Sequence, residues 1–98
     1  GNTGVAWAVK KNPQLEVSYN YSTGKMFGMP FRKDDAETRN KVEAVIECMK
    51  LDGTFTAMSM KWFGLAPTPG SAAVTVQGGY GQPGLEGFEA TPHAPNCG

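Results

Sequence analysis

Net charge is what this chain lacks most plainly. Nine basic and nine acidic residues cancel among 98, and no lysine or arginine follows Lys61. Phosphate recognition needs clustered Lys and Arg. Here the basic residues are scattered among acids, so a nucleic-acid partner is not expected. Long apolar runs are missing too: none approaches the roughly 20 residues of a membrane span, and no secretory signal is present. Histidine occurs once, as His93, and cysteine twice, as Cys48 and Cys97. Without C-x-x-C or H-x-x-x-H spacing, no metal site is expected. Gly78-Gly79-Tyr80-Gly81 lacks the Lys-Ser/Thr and the helix that follow a phosphate loop, so no cofactor is expected either. A chain this short buries only about 60–65% of its unfolded surface, and 13 glycines and seven prolines reduce the packable fraction further.

What the chain does have is a densely punctuated run from Asp34 to Gly64. Asp34 can cap a helix, with Glu37 closing a capping box three residues on. Val42, Val45, Ile46 and Met49 then follow at i, i+3, i+4 and i+7, one face of a helix. Gly53 supplies a left-handed stop. Thr54 can cap a second helix, whose stripe is Phe55, Met58 and Trp62, and Gly64 ends it. Trp7 on an earlier helix, and Trp62-Phe63 at the end of the last, are expected to pack in a core.

Upstream, residues 4–11 read as a short helix capped by Thr3 or Asn2 and closed by Lys10, Lys11 and Asn12-Pro13. Residues 15–21, LEVSYNY, alternate Leu15, Val17, Tyr19 and Tyr21 against polar partners, the period of a strand. Ser22-Thr23-Gly24 reads as a turn. Residues 25–31 read as a second extended piece, with Pro30 near an edge or end. Beyond Leu65 glycine and proline dominate, and only Glu86 and Glu89 are charged. A short strand is expected near residues 72–76. The remainder reads either as an irregular strap, docked through Tyr80, Leu85 and Phe88, or as a disordered tail. The strands find too few partners within the chain, so the reading expects a segment of a larger fold.

Cys48 and Cys97 form an even pair far apart. A bridge would pin the tail and suit an oxidising compartment; closing so long a loop is worth about 4 kcal/mol in the chain-entropy picture. The alternative is a buried free thiol at 48 and a frayed one at 97. Adjacent Asp34 and Asp35 are explained by helix capping rather than by acid–base catalysis. His93 in the tail is poorly preorganised for a Cys–His nucleophile pair.

LDGT, followed after a helix by KWFG and preceded by KDD-x-E, resembles the C-terminal end of a periplasmic solute-binding protein. The type is that of polar amino-acid ABC importers (bacterial extracellular solute-binding family 3). GNTGVAWAVKKNPQLEV resembles the preceding helix and hinge strand, so the likeness spans roughly residues 2–64. It implies an α/β fold: the C-terminal segment of a two-lobed, hinged binding protein. Residues 1–13 would end the second lobe, 14–24 would cross the hinge, 25–64 would return to the first lobe, and 65–98 would strap that lobe.

The resemblance further implies non-catalytic binding of a small polar solute, an amino acid or related compound, by lobe closure. The implied partners are the remainder of the binding protein and the membrane permease of an ABC importer, in a periplasmic or otherwise extracytoplasmic location. A missing signal would then mean that upstream sequence lies outside this chain; an engineered or split sensor would use the same motion. In the family a carboxylate before this helix takes the ligand's ammonium group, and here Asn2 stands in its place. Asn2 and Thr3 are thus ligand candidates as well as caps, and Tyr19 on the hinge strand is a third. Two other readings stay open: a dehydratase-like enzyme on the same fold, and a secreted interaction module using the Gly/Pro-rich tail.

Overall fold

A computed structural model describes residues 2–21, 23 and 28–97. The chain forms three helices: α1 (Asn2–Lys11), α2 (Ala36–Leu51) and α3 (Thr54–Phe63). Asp35, rather than Asp34, is the N-cap of α2, and its carboxylate accepts from the Thr38 N–H at 3.2 Å. The register is set by a turn in which the Asp35 N–H donates to the Arg32 carbonyl at 3.1 Å. Glu37 therefore closes no capping box; it pairs with Lys41 one turn on, at 3.0 Å.

Gly53 and Gly64 sit at φ +86° and +71°, left-handed geometry that glycine adopts without a Cβ penalty. Between α2 and α3, Asp52 accepts the Thr54 N–H at 2.8 Å and the Thr54 hydroxyl, so Thr54 begins α3 rather than capping it. At the far end, the Gly64 N–H returns to the Met60 carbonyl. Lys10, in the last turn of α1, donates to the Lys61 carbonyl, a cation on the orphan acceptors of another helix C-terminus. Helix α3 packs against both α1 and α2.

The expected α/β fold is not formed. Among the described residues there is no strand or sheet, only an isolated antiparallel bridge between Tyr80 and Glu89. Residues 15–21 alternate as a strand would, but no ladder runs beside them, and period-2 patterning without a hydrogen-bonding neighbour does not hold a strand. Of the second expected strand, residues 25–27 lie outside the described residues, as do Ser22 and Gly24 of the expected turn; residues 28–31 are irregular. Residues 72–76 are not a strand either. Ser71 N–H donates to Thr68 and Val74 N–H to Ser71, so successive turns use the donors a ladder would need.

Core expectations fail in the same way. Trp7 and Trp62 are 47% and 55% exposed, and Val45 in the α2 stripe is 60% exposed. The buried side chain of α2 is instead Glu47, at 3%. The accessible surface is 7840 Å², whereas a folded monomer of 10.4 kDa presents roughly 5,400 Å². The radius of gyration, 15.8 Å, likewise exceeds the ~12.6 Å expected for this length.

The helix caps carry a pH signature. Hydrogen bonding to Thr38, through its side chain and then its backbone N–H, holds Asp35 below the usual carboxylate value of 3.8. Thr54 does the same for Asp52. A depressed folded pKa contributes stability that is present above the unfolded value and is lost as pH falls through the folded one. Helical ellipticity at 222 nm should therefore hold from neutral pH to about 4 and decline only below that. Asp35→Asn, which caps without titrating, should flatten the acid limb.

Candidate functional site

The polar ridge of α2 is where the chain folds back on itself. Arg39, Asn40, Glu43, Glu47 and Lys50 recur at three- and four-residue spacing and so share one helix face. Each holds the strap, residues 65–97. Arg39 pairs with Glu89 at 3.2 Å and donates to the Gly87 carbonyl. Asn40 donates to Glu89 at 2.9 Å. Glu43 accepts the Gly81 N–H at 2.8 Å, and Lys50 donates to the Thr75 carbonyl at 2.8 Å. Cys48, beside Glu47, is bonded to Cys97, with 5.5 Å between their Cα atoms.

Glu47 and His93 form the centre of this contact. His93 Nε2 lies 2.7 Å from Glu47 Oε1. With Glu47 ionised, the ring donates through Nε2–H. The imidazole stacks on Tyr80, with centroids 3.9 Å apart and planes 6° from parallel. Its backbone N–H donates to the Gly78 carbonyl at 2.8 Å. Reciprocal hydrogen bonds of 2.8 and 2.9 Å join Tyr80 to Glu89 and shape the strap into a small antiparallel loop. Glu47 Oε2 and His93 Nδ1 are buried without a hydrogen-bond partner among the described residues. A carboxylate orienting an imidazole is the base half of a nucleophile triad. Here both sulfurs are spent on the bridge, so no thiolate stands ready beside His93.

Next to this contact lies an open cleft of about 770 Å³. It is lined by Val42 and Ile46 of α2, by Met29 and Phe31, and by Leu85 and Gly87 of the strap. Its rim carries Lys33 and Glu86, an exposed pair at 3.2 Å. Such pairs contribute little to stability.

The ligand candidates from the sequence are not assembled here. Thr3 is exposed in the first turn of α1, and the Asn2 side chain lies outside what the structure describes. Tyr19 is 78% exposed in the irregular stretch after α1, and neither Thr3 nor Tyr19 lines the cleft. Sequence reasoning missed the Glu47–His93 pair. No local pattern pointed to it; only the pairing of Cys48 with Cys97 hinted that the tail returns to α2. Among the described residues no His, Cys, Asp and Glu cluster has the geometry to hold a metal ion. No helix among them is long and apolar enough to cross a membrane. Comparison with protein-family models, curated proteins and solved structures finds no match to this chain.

Proposed function

We propose that this chain is a non-catalytic recognition component, binding a small polar solute while docked on a further polypeptide body. The carrying observation is its surface: 7840 Å², roughly 2,400 Å² more than a folded monomer of its mass presents. That excess is of the size an obligate interface removes. The residues that supply it are apolar and ordered by pattern. Leu15, Val17, Tyr19 and Tyr21 lie along the irregular stretch after α1, and Trp7, Val45, Met58 and Trp62 lie on the helices. The strap takes the polar ridge, borders only the cleft over Val42 and Ile46, and leaves Val45 exposed for another partner.

The solute half of the reading is supported by sequence. LDGT occupies the α2–α3 junction and KWFG ends α3, the runs that resemble polar amino-acid receptors of ABC importers. In that role the loaded protein would deliver its solute to a membrane permease. Glu43, Glu47 and Glu89 are engaged in holding the strap and so are not free acids or bases.

Two measurements test this. The chain alone should self-associate in sedimentation and melt over a broad range. Purified with the body that covers it, it should melt cooperatively, and one member of an amino-acid panel should raise that melt without being consumed. Ligand at a hundredfold excess over Kd adds about 2.7 kcal/mol. A monodisperse, cooperatively melting monomer that no amino acid stabilises would overturn the proposal.

A further inference from the structure

We infer that the Cys48–Cys97 bond is a redox latch, which decides whether the strap lies on α2 or swings free. The inference is independent of the solute reading. It starts from what the strap lacks. Residues 65–97 bury no large apolar side chain: Leu65 and Leu85 are more than half exposed, and Phe88 is exposed as well. Apart from Glu47–His93 and the Arg39 and Asn40 bonds that converge on Glu89 and Gly87, the ridge contacts are single polar bonds, and the Asn40 and Lys50 bonds are open to solvent. Water replaces such bonds with little net change. Against them stands the entropy of ordering some thirty residues, which only the covalent tether reduces in advance.

The two sulfurs differ in access. Cys97 is exposed near the chain end, whereas Cys48 is half-buried on α2. A dithiol reductant would therefore attack Cys97 as a thiolate. The S–S bond breaks and Cys48 leaves as a thiolate, which takes up a proton. The second thiol of the reductant then attacks the mixed disulfide and releases Cys97. Two electrons pass from the dithiol to the protein disulfide, the reductant leaves as its own disulfide, and its two protons end on Cys48 and Cys97.

Release would change two features together. The cleft loses the lining supplied by Gly81, Leu85 and Gly87. Glu47, 3% exposed with the strap in place, meets solvent as His93 departs. The helices keep their own caps at Asp35, Gly53 and Gly64, none of which depends on the strap.

The experiment is hydrogen exchange on the full chain, oxidised and then held in excess dithiothreitol. Exchange at the Tyr80, Glu89 and His93 amides should accelerate at least tenfold while ellipticity at 222 nm stays constant. Cys48→Ser combined with Cys97→Ser should reproduce this without reductant, and the upfield shift of the His93 ring protons caused by Tyr80 should vanish. Unchanged strap amides would show that the polar ridge holds alone and would overturn the latch. Loss of helicity together with the strap would overturn it equally, because the bond would then be a staple for the whole fold.

Discussion

Replacing His93 with alanine in the oxidised protein should weaken strap attachment by roughly 3 kcal/mol, far more than one exposed hydrogen bond contributes. The reason is what the substitution leaves behind. Glu47 is 3% exposed and one of its oxygens already lacks a partner. Without Nε2 at 2.7 Å, the carboxylate is left buried and unpaired, and stranding a buried polar group costs more than the lost bond itself. Stacking against Tyr80 is lost as well, worth about 0.5–1.5 kcal/mol for a ring pair. Replacing both partners, as Glu47→Leu with His93→Leu, removes the stranded charge along with the bond and should come out near neutral. Opening free energies from exchange at the Tyr80 and Glu89 amides measure both variants. If His93→Ala and the double leucine variant open equally readily, desolvation of Glu47 is not what governs the contact.

The helices were legible because their signals are local. Gly53 and Gly64 adopt the left-handed backbone their positions call for, and a carboxylate caps α2. The one-residue shift from Asp34 to Asp35 arises because both carboxylates suit the role, and the turn closed on Arg32 selects between them. The strands were misread because alternation records which side chains share a face, not whether a neighbouring strand exists. Leu15 to Tyr21 carries the pattern without a ladder, and its apolar side remains uncovered. The ridge contact was not legible at all. Arg39 meets Glu89 and Glu47 meets His93 across more than 45 residues, through a segment whose composition has no period. Only the covalent pair hinted that the tail returns to α2. The same geometry explains why Val42 to Met49 does not form a core: the strap satisfies the polar side of α2, leaves an open cleft over Val42 and Ile46, and leaves Val45 to solvent.

Gly79→Ala should open the strap's loop while the disulfide still tethers its end to α2, which separates the loop's own fold from its tether. Gly79 is buried where the two limbs of the strap meet. A Cβ there would overlap the Glu89 carbonyl oxygen and stand 3.2 Å from its carbon, and both are backbone atoms with no rotamer to yield. The limbs must part, and the reciprocal Tyr80–Glu89 hydrogen bonds lie next to the point of overlap. Overpacking of this kind costs about 1–3 kcal/mol, and the two bonds add about 1 kcal/mol each. Working against this, alanine restricts the unfolded chain and returns about 0.4–1 kcal/mol. Clash and lost bonds together exceed that gain, so the sign is destabilising. Glu89 would also shift away from Arg39 and Asn40, and the backbone hold of Gly78 on His93 would loosen, so one methyl group should disturb the ridge at both ends. By contrast, Gly84→Ala puts a Cβ into open space, with only the strain of a φ of +86°. Amide exchange at Tyr80, Glu89 and His93 should accelerate strongly in Gly79→Ala and only slightly in Gly84→Ala. Equal effects would mean that turn strain, rather than the close approach of the two limbs, controls the strap.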